Sequence, residues 1–226
     1  MGRVVRKIIA GVDILNEILD ITVRSLWVSG SATIISSLWS ILLAYKLSRS
    51  RGASRYIIPF FEALIGIPTV LIGLLLYMIL SSRGPLGLFR LLYTPYAIIL
   101  GQAILITPLI TSICYRVLSS SWNTYGELAY TLGASEKQIM AIVLRESIPG
   151  IIAASVMGFS RAIGELGIAL MVGGNIRGFT RVLTTAIALE VSKGEFEIAV
   201  VLGTILVVLV VAISFSLRIL RRMYRV

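Results

Sequence analysis

Arg161 and Glu165 form the charged pair whose spacing is best suited to chemistry in this sequence. They lie four residues apart in an otherwise apolar run, so on one continuous helix they would be neighbours on the same face. A guanidinium there can offer a passing dianion a transient bidentate contact, and the carboxylate beside it can neutralise it instead. A charge inside a bilayer is costly, so each group needs a partner. A gate on a transport pathway and an ion pair that locks helices together are both open interpretations.

Other chemically active residues are few. The sequence contains no histidine and a single cysteine, Cys114, within an apolar run. This composition removes the usual proton shuttle and the commonest metal ligand, and it excludes a disulfide within one chain. No GxxxxGK[ST] phosphate-binding loop occurs either. We therefore predict no catalytic residue, no metal site and no nucleotide site of that kind in this chain.

The composition is that of a membrane protein. The 226 residues are 57% hydrophobic and 14% charged, with a mean hydropathy of +0.94, whereas soluble domains are about half apolar and a quarter charged. Five apolar runs approach the roughly 20 residues that span a bilayer. We expect an all-α integral membrane protein with about five transmembrane helices, near 25–45, 56–80, 91–115, 148–172 and 198–217.

The net charge of +10 is better explained by basic residues beside these spans than by nucleic acid, which we do not expect as a partner. Because the basic clusters after the first span and at the C-terminal end fall on one side, we predict a multi-pass protein of the plasma membrane with its N-terminus outside and its C-terminus cytoplasmic. Residues 1–20 are predicted as an amphipathic helix on the outer surface, 21–218 as the transmembrane region and 219–226 as a basic cytoplasmic tail.

Two features interrupt the apolar runs. Gly66, Pro68 and Gly73 break the second span, and they either permit close packing or expose backbone groups to a pathway. The apolar stretch Val182–Leu189 is too short to cross a bilayer and is predicted to be re-entrant or docked. Glu62 lies near the end of the second span, where we expect a basic partner.

The stretch Tyr125–Gly150 mixes charges with helix punctuation between the third and fourth spans. Thr124 with Glu127, and Ser135 with Gln138, have the spacing of capping boxes, and Gly133 suits a left-handed helix end. We predict two short helices over the loop 119–147, the second ending where Ser147 and Pro149 start the next span. The apolar side of the pair is expected either to pack on its own spans or to dock on a soluble partner.

Within this loop, "ELAYTLGAS" resembles the EAA signature of ABC-transporter importer permeases. Glu127, Ala129 and Gly133 match the signature, while Leu128 stands where alanine is usual. "GIPTVLIGLLLYMILSSRGPLG", "GFSRAIGELG" and "MVGGNIRGFTRVLTTAIALEVSKG" are similar to parts of tungstate-uptake permeases, which are short relatives of the molybdate and sulfate permeases. The resemblance covers most of the chain from the first span to the fifth.

The resemblance implies a MetI-like permease fold of the type I importers and a role for the loop as a coupling helix. It implies a homodimer in the bilayer, two ABC ATPase subunits that carry ATP and magnesium, and an external substrate-binding protein. The residues expected to couple to the ATPase are Glu127, Leu128, Ala129, Tyr130, Leu132, Gly133, Ala134 and Ile139.

Two further groups of residues are candidates within such an importer. Arg161, Glu165, Gly66 and Pro68 are candidates for the pathway or its gate. Gly173, Gly174, Asn175, Arg177 and Arg181 form an outer loop that either contacts the substrate-delivering protein or makes an anion-binding nest.

The cargo that this resemblance favours is tungstate, with molybdate or another oxyanion as the alternative. A secondary transporter that uses Arg161 and Glu165 as ion-coupling groups is a different class of function. Transport by the purified chain without any ATPase would support that class.

Overall fold

The computed structural model describes the backbone of residues 2–223 and the side chains of residues 14–50 and 52–215. Every regular element in this part of the chain is helical. The bounds are α1 (Gly2–Arg49), α2 (Arg51–Ile65), α3 (Thr69–Leu80), α4 (Pro95–Ser121), α5 (Glu127–Thr131), α6 (Glu136–Ile163), α7 (Gly167–Gly173), α8 (Leu183–Lys193) and α9 (Phe196–Met223). A 3₁₀ turn at Gly87–Phe89 precedes α4, and a π-helical turn at Trp122–Gly126 follows it.

Four of these helices are long and apolar enough to cross a membrane, or five if the bent pair α2 and α3 is one span. The all-α membrane fold expected from composition is therefore confirmed. The predicted helix 1–20 and the first span share the single helix α1. The amphipathic pattern before residue 14 and the side chains of the tail 219–226 lie outside the described residues.

The helices form two compact units. The first draws on residues up to 31, residues 69–101 and residues 163–211. Its core includes a buried apolar cluster to which α1, α8 and α9 contribute Ile21, Leu183, Ala186 and Leu202. The amide of Leu183 donates to the hydroxyl of Ser25 over 2.8 Å, which ties the start of α8 to α1.

Glycine sets the spacing of α3 and α7 in this first unit. A Cβ atom on Gly73 would lie 3.0 Å from the Cβ atom of Met171 and 3.2 Å from the Cα atom of Ile168. Gly73 lies inside the continuous helix α3 and does not break it. The short distances show that it permits close packing of α3 on α7, as small residues do between membrane helices. The break in the span falls earlier, at Gly66–Pro68, where the Gly66 amide donates to the Ala63 carbonyl over 3.2 Å.

The second unit draws on residues 32–68, residues 102–162 and the chain from 212. Hydroxyl groups join its helices: Ser36 lies 3.0 Å from the Thr107 hydroxyl, and Ser37 donates to Ser155 over 3.0 Å. Arg116 pairs with Glu62 over 2.5 Å. The basic partner expected for Glu62 is confirmed.

Candidate functional site

The EAA segment, residues 127–135, follows α4 through a π-helical turn rather than beginning a new helix. The Thr124 hydroxyl donates to the Ser120 carbonyl over 3.0 Å, and Thr124 itself lies within the turn Trp122–Gly126. The capping box predicted at Thr124 and Glu127 is therefore wrong. A helix already running in from α4 supplies carbonyl partners for these amides, so no N-terminal cap is needed.

The left-handed helix end predicted at Gly133 is confirmed. Gly133 has a φ of 80°, its amide donates to the Tyr130 carbonyl over 3.0 Å, and the Ala134 amide donates to the Ala129 carbonyl over 3.0 Å. These two bonds are those of a Schellman motif. No atom lies within 4 Å of a Cβ placed on Gly133. Glycine is thus favoured here by backbone conformation and not by space.

The second predicted capping box is confirmed on one side. The Ser135 amide donates to the Gln138 side-chain carbonyl over 2.8 Å at the start of α6. The predicted helix boundary at Ser147 and Pro149 is wrong, because α6 runs through both residues to Ile163. Proline is tolerated inside a membrane helix where the surroundings satisfy the freed backbone groups.

The EAA segment divides its side chains between two surfaces. Ala129 and Ile139 are buried, with Val143 beside them in α6. Leu128, Tyr130 and Leu132 are 58%, 74% and 78% exposed. Ala129 and Ile139 therefore shape the segment from inside, and the three exposed apolar side chains are the ones that can contact another protein. A shallow pocket beside them is lined by Leu132, Gly133, Ala134, Gln138, Ala141 and Ile142.

Arg161 and Glu165 do not share a helix. The helix α6 ends at Ile163 and α7 begins at Gly167, so the expectation that the two residues are neighbours on one helical face is wrong. Glu165 is buried; its carboxylate accepts from the Ile168 amide over 3.2 Å, and its backbone carbonyl accepts from the Thr184 hydroxyl over 2.9 Å. Glu165 thus caps α7 and fixes it to α8, and the gating role of both residues stays a prediction.

The GGN loop, residues 173–181, is closed by its own hydrogen bonds. The Ile176 carbonyl accepts from the amides of Phe179, Thr180 and Arg181 at 3.0 to 3.1 Å. The buried Thr180 hydroxyl donates to the Gly173 carbonyl over 2.6 Å. These contacts give the loop one defined shape.

Glycine is required by the conformation at the start of this loop. Gly174 has a φ of 69°, and a Cβ atom on it would lie 2.7 Å from the ring of Tyr93. Asn175 follows with a φ of 51°, which asparagine tolerates better than most residues. The two residues turn the chain against the ring.

The arginines of the GGN loop converge on Glu17 of α1. Arg177 donates to the Glu17 carboxylate over 2.6 and 3.0 Å, and Arg181 donates to it over 3.1 Å. Arg24 completes the contact by donating to the carbonyls of Gly178 and Arg181 over 2.9 and 3.1 Å. Because Glu17 already faces both cations, the geometry favours a fixed protein surface over an anion-binding nest.

Arg181→Ala is expected to destabilise the chain more than Arg177→Ala. The Arg181 side chain is 13% exposed, whereas that of Arg177 is 71% exposed. An exposed ion pair contributes about 0.2–1 kcal/mol, while loss of a partner from a buried polar group costs about 1–3 kcal/mol. Thermal unfolding in detergent measures the difference, and equal losses for the two variants would mean that the deeper burial of Arg181 adds nothing to its contribution.

The contact at Glu17 is also expected to weaken in acid. The hydrogen bond from Arg177, assisted by the charges of Arg177 and Arg181, holds the pKa of Glu17 below its ordinary value of 4.5. A lowered folded-state pKa means that the stabilisation is complete above that ordinary value and is lost as the pH falls through the lowered pKa. The difference in melting temperature between the wild type and Glu17→Gln should therefore shrink on acidification; a difference constant with pH would exclude this titration.

The sequence analysis did not predict that Glu17 and Arg24 of α1 contact this loop. Glu17 lies in the segment predicted as an amphipathic helix, 160 residues before Arg177. No local pattern connects residues at such a separation.

The comparisons with known proteins place the chain among transport proteins. Residues 36–226 match the family described as "Binding-protein-dependent transport system inner membrane component". A tungstate uptake system permease protein of Peptoclostridium acidaminophilum is 37% identical over 88% of this chain and 87% of its own length. A probable anion ABC transporter permease protein of Haloferax volcanii is 35% identical over 88% of this chain and 89% of its own length.

A chain of the MetNI methionine ABC transporter, solved in inward-facing conformations, has the same fold, with a TM-score of 0.67 at 16% identity. The match covers 91% of this chain and 97% of that one, so the MetI-like fold is confirmed. The family match covers more than half of the sequence, and the first two relatives match along most of their length. The chain belongs to the family of inner-membrane components of binding-protein-dependent transport systems.

Proposed function

We propose that this chain forms the translocation pathway of an ATP-driven importer whose cargo is an oxyanion, and that the oxyanion is tungstate. The observation that supports this best is the 37% identity to a tungstate uptake permease over 88% of the chain. Relatives named for molybdenum and sulfate transport are 27% identical over 80% and 84% of the chain. Molybdate or another oxyanion is the alternative cargo.

The proposed arrangement of the subunits is the one that the resemblance to type I importers implies. Two copies of the chain line the pathway, and two ATPase subunits that bind ATP and magnesium dock on the two EAA segments. In this proposal the N-terminus lies outside and the C-terminus in the cytoplasm, because Lys46 and the nearby basic residues flank the end of the first span. The EAA segment is then cytoplasmic and the GGN loop lies on the outer face.

The exposed apolar face of the EAA segment is the coupling surface. Leu128 and Leu132 lie one helical turn apart on this face, and Tyr130 is exposed on another side of the segment, which ends in the hydrogen-bonded turn at Gly133. ATP-driven approach of the two ATPases would move both EAA segments and turn the pathway outward, and hydrolysis would reverse the movement. Glu127 is exposed in the first turn of α5, at the rim of this surface.

The GGN loop is the proposed docking surface for the external binding protein. Its fixed shape presents Ile176, Arg177 and Phe179, which are 43%, 71% (side chain) and 49% exposed. Arg161, Glu165, Gly66 and Pro68 remain the proposed pathway or gate residues, because they lie at or beside the helix breaks at 66–68 and 164–166. Irregular backbone inside a membrane protein is tolerated where it is packed against protein or lines a cavity.

Transport by proteoliposomes tests this function. The chain is reconstituted with its ATPase into vesicles that contain ATP in the lumen. The binding protein is added outside, loaded in turn with tungstate, molybdate and sulfate. We expect tungstate accumulation that requires both ATP and the binding protein. Uptake without the ATPase would support the ion-coupled secondary transporter. If molybdate were taken up as fast as tungstate from a saturated binding protein, the importer would not be specific for tungstate.

A further inference from the structure

Arg49, the last residue of α1, joins the two ends of the EAA segment. Its guanidinium carbon lies 5.3 Å from the centroid of the Trp122 ring, in the π-helical turn that leads into the segment. The same guanidinium donates to the Glu136 carboxylate over 3.0 Å, at the first residue of α6. One side chain thus contacts the π-helical turn that precedes residues 127–135 and the residue that follows them.

Gly126 supports the position of the Trp122 ring. Gly126 is buried, and a Cβ atom on it would lie 3.1 Å from the ring. The ring therefore packs on the backbone of its own turn, and the Arg49 guanidinium lies near the same ring. The hydrogen bond from Arg49 to Glu136 is also the main reason why the pKa of Arg49 is raised.

The contact at Arg49 combines an ion pair with a second attraction. The side chains of Arg49 and Glu136 are 39% and 79% exposed, and an exposed pair alone contributes little. The ring of Trp122 adds a cation–π attraction to the same guanidinium and orders it between two partners. The planar guanidinium suits this combination, since it can lie against a ring and still donate hydrogen bonds.

The EAA segment needs such support because the regular helical backbone is altered on both sides of it. Helix α5 has five residues, with a π-helical turn on one side that joins it to α4 and the left-handed Gly133 on the other. A π-helical turn departs from regular α-helical hydrogen bonding, and the chain changes direction at Gly133. A force applied at Leu128, Tyr130 or Leu132 would otherwise be absorbed by bending at the two flanking turns.

We propose that Arg49 is a positioning residue for ATPase coupling, which braces the EAA segment between Trp122 and Glu136 so that movement of the segment is passed to α1. This inference rests on the proposed function, because it needs an ATPase that pushes on the segment. The brace itself is a property of the isolated chain.

Fluorescence of the purified chain tests the brace without any partner. The sequence has three tryptophans, so Trp27→Phe with Trp39→Phe leaves Trp122 as the sole emitter. In this background Arg49→Ala should shift the emission of Trp122 and increase its quenching by acrylamide. Lys46→Ala, which removes an exposed cation one turn earlier in α1, is the matched control and should leave both signals unchanged. An unchanged Trp122 signal in Arg49→Ala would overturn the brace.

Coupled transport then tests the role of the brace. In the reconstituted importer, Arg49→Ala should lower uptake per ATP hydrolysed by about three- to tenfold, from the combined cation–π and ion-pair contributions. Glu136→Gln should give a smaller loss, because it keeps the ring contact, and Arg49→Lys should recover part of the coupling. All three variants should still co-purify with the ATPase, which excludes a folding defect as the cause.

The outcomes separate this inference from the function on which it rests. If the wild type transports and Arg49→Ala couples as well as Lys46→Ala, the positioning role is wrong although the importer assignment stands. If the wild type shows no ATP-dependent uptake, the proposed function fails and the coupling role fails with it. In either case a Trp122 fluorescence difference would remain, as evidence of a structural contact without that role.

Discussion

Replacing Gly133 by valine is expected to abolish ATP-dependent uptake. The residue has a φ of 80°, a conformation that costs a non-glycine residue about 1–3 kcal/mol and a β-branched residue the most. Valine would favour unwinding of the cap, with loss of the bonds from Gly133 to Tyr130 and from Ala134 to Ala129. Leu132 and its exposed neighbours would then no longer be held in one surface. Uptake in proteoliposomes measures the loss directly.

Two substitutions make this expectation specific. Gly133→Asn should retain most of the activity, because asparagine tolerates the left-handed conformation and a side chain there meets no atom within 4 Å of its Cβ. Gly178→Val imposes the same kind of strain at a φ of 72° in the GGN loop and should leave ATPase co-purification intact. If valine and asparagine at 133 gave equal uptake, the turn would not matter for coupling.

The fold and the helix end in the EAA segment were predictable because both depend on local patterns. Apolar runs of bilayer length define the long helices whatever they pack against. The features at Gly133 and at Ser135–Gln138 each involve residues within one helical turn, so the spacing of the residues in the sequence is enough to predict the contact. Local physics suffices for features of this kind.

The features that could not be predicted depend on contacts between distant parts of the chain. The π-helical turn at Trp122 forms where Gly126 lets the indole ring pack on the backbone, and Arg49 reaches it from another helix. The pairing of Glu17 with Arg177 likewise depends on how α1 and the GGN loop pack. Neither of these two contacts produces a recognisable pattern in the sequence.

The break at residues 164–166 shows why helical spacing alone is a weak guide to charged pairs in a membrane. Arg161 and Glu165 have i, i+4 spacing, but that spacing implies neighbours only if the helix continues. The buried carboxylate of Glu165 bonds the Ile168 amide and thereby starts a new helix. A carboxylate that satisfies the start of a helix stabilises the break before it, so the spacing of the two residues in the sequence no longer places them on one helix.

Leu132→Asp is expected to abolish co-purification of the ATPase while the chain itself folds and inserts normally. Leu132 is 78% exposed in the isolated chain, so an aspartate there costs the folded chain little. In the assembled importer the same carboxylate would be buried unpaired in an apolar contact, at a cost of several kcal/mol. Leu132→Ala removes only the apolar burial, about 1.5–3 kcal/mol, and should weaken assembly by roughly ten- to a hundredfold.

Leu88→Asp is the matched control for this loss of assembly. Leu88 is 93% exposed in the 3₁₀ turn Gly87–Phe89, outside the EAA segment, so a carboxylate there introduces the same charge at an equally accessible leucine. Co-purification of the ATPase should survive Leu88→Asp and fail in Leu132→Asp. Assembly of both variants at the wild-type level would mean that the ATPase binds elsewhere. Since Leu128 is 58% exposed and lies one helical turn before Leu132, Leu128→Asp should fail together with Leu132→Asp if this face is the contact.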